Sequence, residues 1–285
     1  MSSPVAPDGA LAPDFELLIR PRGAISLRDF ADIWRNRELL WSLAMRDVSV
    51  RYKQSLLGVA WALLQPISQM LIFTMLFNRF AGIRADMPVA YPLFCLAGLV
   101  VWTLFANGLA HASESLINNA NVITKVYFPR AVIPVASIVT ACVDFAIGFG
   151  LLLLLIPIFG AHFHASMLLA IPIAALAGLT ALALGLWTSA LNIQFRDVRY
   201  ALPFFIQMLI FLTPVFYPAS MIPPRYRPLL DLNPMAAIVD GFRAALFGLP
   251  FPLARLGFAL AVVLVVGAAG FMYFRHMERT FADRV

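Results

Sequence analysis

The chain has 285 residues, of which 61% are hydrophobic and 13% charged, with a net charge of +6. Soluble domains carry roughly 45–50% apolar and about 25% charged residues, and a water-soluble fold this apolar lacks the polar groups to cover its surface. The positive charge does not indicate nucleic acid, because the basic residues flank apolar stretches instead of forming one stripe; they fit anionic lipid and membrane topology.

In chain order, residues 1–25 hold Pro4, Pro7, Pro13 and Pro21 with several acids and no apolar core segment. This predicts a flexible tail without a cleavable signal peptide. Ser26 is placed to cap a helix carrying Leu27, Phe30, Ile33, Trp34, Leu40 and Trp41, with Arg28, Asp32, Arg35 and Glu38 mostly on other faces. Region 26–53 therefore reads as an interfacial helix and entrance segment, with Trp at headgroup level. The alternative is an amphipathic helix packed on protein.

Windows free of Asp, Glu, Lys and Arg then cover 54–78, 85–113 apart from Asp86, 145–195, 200–224 and 256–274, and 131–157 holds only Asp144. A spanning helix needs about 20 residues, so 145–195 must fold back. Pro157, Gly160, His162, His164 and Ser166 mark the turn. Six helices are predicted near 56–79, 89–112, 132–157, 166–192, 199–217 and 254–275, an all-α polytopic membrane domain over 54–275 followed by a tail at 276–285.

Fifteen of the 21 Lys and Arg residues fall on the side holding residues 1–53. The other side has Arg79, Arg84, Arg225, Arg227, Arg243 and Arg255. The bias predicts both termini in the cytoplasm. Cys95 and Cys142 lie inside apolar spans and read as small hydrophobes. Ala177, Ala181, Gly185 and Ser189 place a small residue every four positions along the fourth span, which permits close helix contact. Between 218 and 252, Pro223–Pro224 is suited to open one short helix. Asn233 followed by Pro234 is an N-cap and first-turn pair for another, ended by Gly248 and Pro250. These short helices, 219–248, are expected to dip into the outer leaflet.

No enzyme constellation emerges. A phosphate-binding loop is absent, and His162 with His164 reads as polar turn chemistry in preference to a metal site. Asp144 stands out, because a carboxylate near the middle of a span costs at least ~2.5 kcal/mol. It either lines or gates a pathway or makes an interhelical hydrogen bond, with Gln65, Gln69 and Asn107 as candidate partners. Pro66, Pro203 and Pro214 are expected to kink their helices. Trp61, Trp102 and Phe105 suit packing, or the walls of a carbohydrate path. The link 113–130 predicts a short amphipathic helix with Val122, Ile123, Val126 and Tyr127 on its apolar face, stopped by Pro129.

The run Arg46-Asp47-Val48-Ser49-Val50-Arg51-Tyr52-Lys53-Gln54-Ser55, continued by Leu57-Gly58-Val59-Ala60-Trp61 and Gln65-Pro66, resembles the entry into the first span of bacterial polysaccharide-export ABC transporter permeases. Residues Asn119 to Arg130 resemble that family's coupling segment. Arg196-Asp197-Val198 through Pro214-Val215-Phe216-Tyr217-Pro218, with Asn233-Pro234, resembles its fifth span and outer helices. The similarity covers roughly residues 27–275.

The resemblance implies a type-2 ABC exporter subunit in the bacterial inner membrane, a homodimer paired with two cytoplasmic ATPase subunits that bind the ATP and Mg. The chain itself would hold no cofactor or metal and would not be an enzyme on its own. Asn119, Asn121, Lys125, Tyr127, Phe128 and Arg130, within a coupling helix at 114–130, would dock on the ATPase. Arg46, Arg51, Tyr52 and Lys53 would meet the diphosphate of an undecaprenyl-linked glycan. Trp61, Trp102, Phe105 and Asp144 are the channel candidates. O-antigen is the leading cargo, with capsular polysaccharide, teichoic acid or galactan as alternatives within the family. Rival classes are an exporter of a small lipid or drug, an intramembrane glycolipid-modifying enzyme and a passive scaffold.

Overall fold

The computed structural model describes residues 27–53, 60–80, 89–125, 128–278 and 281. The 1–25 tail, Ser26, Tyr127 and most of the segment after Glu278 lie outside them. Among the described residues the regular elements are helical and no strand occurs, as expected where backbone groups must be satisfied within lipid.

The predicted interfacial helix is two helices, α1 (Leu27–Arg35) and α2 (Arg37–Lys53). The break falls at Asn36, whose Nδ2 donates to the Asp32 carbonyl at 2.8 Å, a local bond that competes with helix continuation. Trp34 and Trp41 remain exposed, as indoles at a headgroup level require. Next come α3 (Ala60–Thr74), extended by a π-helical turn Met75–Phe80, α4 (Tyr91–Asn118) and α5 (Ala120–Lys125). Then α6 (Val132–Ile158) leads through a 3₁₀ turn at Ala165–Leu169 into α7 (Ala170–Gln194) and α8 (Val198–Leu212). The chain closes with α9 (Arg227–Asp231), α10 (Pro234–Phe247) and α11 (Leu253–Glu278).

Among the described residues, five helices have the length and apolarity to cross a membrane: Ala60–Phe77, α4, α6, Ala165–Gln194 and α11. The sixth span predicted at 199–217 is the shorter α8, of 15 residues. At 1.5 Å per residue it rises about 22 Å, less than the ~30 Å hydrocarbon core. It stops early because Pro214 forces the residue before it out of helical space: Thr213 sits at φ −106°, ψ 136°. Pro214 therefore ends this helix instead of kinking it.

α4 is the central helix. It packs chiefly on α7 and α6, while α7 also carries α11 and α10. The row of small residues on α7 is the seam: Ala177, Ala181, Gly185 and Ser189 are all buried. A Cβ built on Gly185 would stand 2.7 Å from the Ala112 Cβ of α4, so no larger residue fits. The helix after Asn233 forms as the local rules require, with Asn233 Oδ1 accepting from Met235 N at 3.0 Å and Gly248 ending it at φ 64°. α10 does not lie in the leaflet on one apolar face; nearly all of it is buried in protein, against α4, α7 and α11.

Arg243, counted among the outer-side charges, is enclosed with α10. It is 2% exposed. Its guanidinium donates to the carbonyls of Phe94 (3.1 Å), Pro214 (2.6 Å) and Val215 (2.5 Å), and stacks 3.5 Å from the Phe94 ring centroid. Pro214 and Val215 belong to the non-helical stretch after α8, so the arginine satisfies carbonyls that a broken helix leaves open. Tyr91 completes the arrangement by donating to the Phe216 carbonyl at 2.7 Å. A Cβ on Gly98 would lie 2.5 Å from Arg243 Nη2; the glycine makes room for the guanidinium.

Candidate functional site

Charged contacts gather at the end of the bundle where α4, α7 and α11 finish and α6 and α8 begin. α2 lies along α6 there. Leu43 and Ala44 are buried against it, and Thr140 Oγ1 of α6 donates to the Ala44 carbonyl at 3.4 Å. Seven residues, or two helical turns, separate Ala44 from Arg51, so both lie on one face of α2. On α6, Thr140 and Asp144 are likewise one turn apart.

Arg51 Nη1 and the Tyr52 hydroxyl both donate to the Asp144 carboxylate. Arg51 Nη2 lies 2.6 Å from His111 Nε2 on α4. A guanidinium can only donate, so this imidazole nitrogen is the acceptor. Burial, and then the bond to Asp144, push the Tyr52 phenol up to about 12, so it remains a donor at physiological pH. Asp144 is about 18 Å along α6 from its first residue; at that depth an unpaired carboxylate is costly, and the two donors from α2 compensate it. Its partners are therefore Arg51 and Tyr52, and not the expected Gln65, Gln69 or Asn107.

Arg46, one turn before Arg51, donates to Asp47 Oδ1 at 2.8 Å and to Asn119 Oδ1 at 2.7 Å. Arg46, Arg51, His111, Asn118 and Asn119 line a single polar cleft of about 260 Å³, together with Ser137 and Thr140. Small-molecule pockets run ~300–1,000 Å³, so the cleft lies just below that range, and Asp47 also lines it. Lys53 is exposed at the end of α2. Two predicted groups of residues thus meet directly, because Arg46 of the entrance touches Asn119 of the coupling segment.

The coupling segment differs from expectation in shape. No breaker separates Ala112 from Asn118, so α4 runs through 113–118, and only Ala120–Lys125 forms a separate helix. Its apolar face points inward: Ile123 and Phe128 are buried with Leu43, Leu116 and Phe274 in a second small core. Phe128 is therefore an internal anchor, not a side chain offered to a partner. Asn119 is also buried and closes α4 by donating to the Ser115 carbonyl at 2.8 Å. Asn121, Thr124 and Lys125 face outward. Arg130 N donates to Glu278 Oε1 at 3.1 Å and its guanidinium to the Glu278 carbonyl, so the link is tied to the end of α11. Arg199 of α8 pairs with Glu114 at 3.6 Å.

Of the aromatic channel candidates, Trp61 is 57% exposed on α3, but Trp102 and Phe105 are in the main core at 3% and 0% exposure. Side chains so enclosed by their own chain pack helices and do not wall an open path.

A bundle of long apolar helices with an arginine-lined cleft at one end, shared by an entry helix and an interhelical link, defines a multi-pass membrane protein of the transporter type. The sequence profile of the ABC-2 type transporter family matches residues 38–247. The chain belongs to that family. It is 31% identical over 243 residues to the O-antigen export system permease protein RfbA of Myxococcus xanthus, covering 84% of this chain and 92% of that protein. The RfbA protein of Klebsiella pneumoniae is 26% identical over 247 residues, with 86% and 94% covered. The polysialic acid transport protein KpsM of Escherichia coli is 24% identical over 216 residues, with 72% and 79% covered.

Proposed function

We propose that this chain is the permease subunit of an ATP-driven exporter that moves an undecaprenyl-diphosphate-linked polysaccharide, O-antigen foremost, across the bacterial inner membrane. It would work as a homodimer with two cytoplasmic ATPase subunits, which supply the ATP and Mg site, and with both termini in the cytoplasm. The observation that carries this reading is the cleft itself. Arg46 and Arg51 face one cavity, and basic forks of this kind suit phosphate oxygens. The same cavity is bounded by Asn119 of the link that would meet the ATPase. The RfbA relatives favour O-antigen; the KpsM relative supports a capsular polysaccharide as the second reading.

The docking surface toward the ATPase is then Asn121, Thr124 and Lys125, with Phe128 and Arg130 holding it in place from behind. In a strain lacking the gene, lipid-linked glycan should accumulate on the cytoplasmic face and surface polysaccharide should be lost. The wild-type gene should restore it. The double substitution Arg46→Ala and Arg51→Ala should leave the complex with the ATPase intact on purification yet restore under about a tenth of the export. Full export by that variant would refute the headgroup reading.

A further inference from the structure

Both cleft arginines already carry an acid of their own chain. Arg46 is paired with Asp47, which is adjacent in sequence, half-buried and lines the same cleft. Arg51 is paired with Asp144, which comes from a different helix, is only 16% exposed in its side chain, and accepts from Tyr52 as well. His111 Nε2 takes the second arm of the Arg51 fork at 2.6 Å. Both arginines that line the cleft are thus neutralised by acids of the chain, and of the two acids Asp144, on Arg51, is the less exposed.

We infer that Asp144 is an internal counter-anion: it occupies on Arg51 the position that a diphosphate takes, and an incoming anionic headgroup must displace it. The inference rests on the headgroup reading given above and adds a competitor to it. The Asp144 carboxylate gives Arg51 one oxygen and one charge, its other oxygen accepting from Tyr52. A diphosphate offers more of both and also reaches Arg46 in the same cleft. Exchange of one anion for the other leaves Arg51 paired throughout, and the displaced Asp144 keeps the Tyr52 hydroxyl as its donor. It also has a mechanical result. Arg51 and Tyr52 tie the far end of α2 to α6 through Asp144, while Ala44 and Thr140 hold it two turns earlier. Displacing Asp144 from Arg51 leaves the far end held by Tyr52 alone and the near end in place. Asp144 is then a selectivity element, since a neutral lipid cannot compete with it.

The test measures binding of two probes, inorganic pyrophosphate and farnesyl diphosphate, to the full chain with its ATPase in nanodiscs. Wild type, Asp144→Asn, Asp144→Ser, Arg51→Ala and the Asp144→Asn/Arg51→Ala double variant are compared. Removing the competitor should tighten binding about tenfold in Asp144→Asn, and in Asp144→Ser should one variant fail to assemble. Arg51→Ala should abolish the gain in the double variant. A gain for both probes identifies a site open to free diphosphate. A gain for farnesyl diphosphate alone identifies a headgroup reached from the membrane; either supports the inference. If wild type binds and Arg51→Ala weakens binding, but both Asp144 variants bind as wild type or more weakly, the counter-anion is refuted and the headgroup reading stands. If neither wild type nor any Asp144 variant binds either probe, the headgroup reading itself fails and the inference with it. Should both Asp144 variants fail to assemble, Asp144 is a structural requirement of the fold and the inference is overturned.

Discussion

Arg243 and Asp144 show what single residues can hide. Asp144 announced itself in the sequence, because a carboxylate in an apolar window is expensive wherever it sits. Its partners did not, since Arg51 and Tyr52 lie 93 and 92 positions earlier and no periodic signal connects them. Arg243 gave no such signal. Its hydrogen bonds go to three main-chain carbonyls, with Asp240 3.9 Å away, and main-chain groups leave no trace in a sequence. Replacing it with Met should destabilise the protein by about 3–5 kcal/mol, because buried acceptors lose a charged donor. Lys should recover little, as it lacks the planar fork that serves several carbonyls at once. Thermal unfolding in detergent reads both. Tyr52 supplies a pH test. Its folded pKa of about 12 exceeds the ordinary value of 10.0, so its contribution to stability is complete below pH 10 and is lost as pH rises through 12. Tyr52→Phe should flatten that part of the stability profile.

At the level of elements, local rules were legible wherever they are local in fact. Asn233–Pro234 and Gly248 bracket α10 as their capping chemistry requires. Asn233→Ala should cost about 1 kcal/mol, measurable as a lowered unfolding midpoint. The end of α8 was misread because Pro214 acts on the residue before it, and the apolar pattern continues past that point regardless. The link 113–130 was legible as polar and partly helical, but not in its division. Its first six residues prolong α4, and its apolar side chains serve a core that includes the distant Phe274 and Phe281. On α7, Gly185→Leu should separate it from α4, given the 2.7 Å approach to Ala112. The expected result is aggregated protein on size-exclusion chromatography, whereas Gly185→Ala should shift the unfolding midpoint with less loss of folded material.

For the whole molecule, apolar windows and basic gaps predicted the all-α architecture and the sorting of charge to alternate sides. They did not predict which charges meet, because that depends on how helices far apart in sequence lean on one another. The entrance and the coupling segment were separate proposals in the sequence; Arg46 against Asn119 makes them one assembly. The close approach of Ala112 and Gly185 leaves α4 and α7 no freedom to roll past each other, so the pair serves as a fixed beam. α2 is then a lever on that beam, with its fulcrum at Ala44 and Thr140. Asn119 pulls at Arg46, two residues or about 3 Å from the fulcrum, while Arg51 is seven residues or about 10 Å away on the same arm. A small stroke of the link is therefore magnified about threefold at Arg51. Spin-label distances from residues 49 and 53, which leave Arg46 and Arg51 in place, to a fixed site on α7, taken with and without ATP, should change in proportion to their distance from the fulcrum; equal changes would mean that α2 slides as a whole and does not swing.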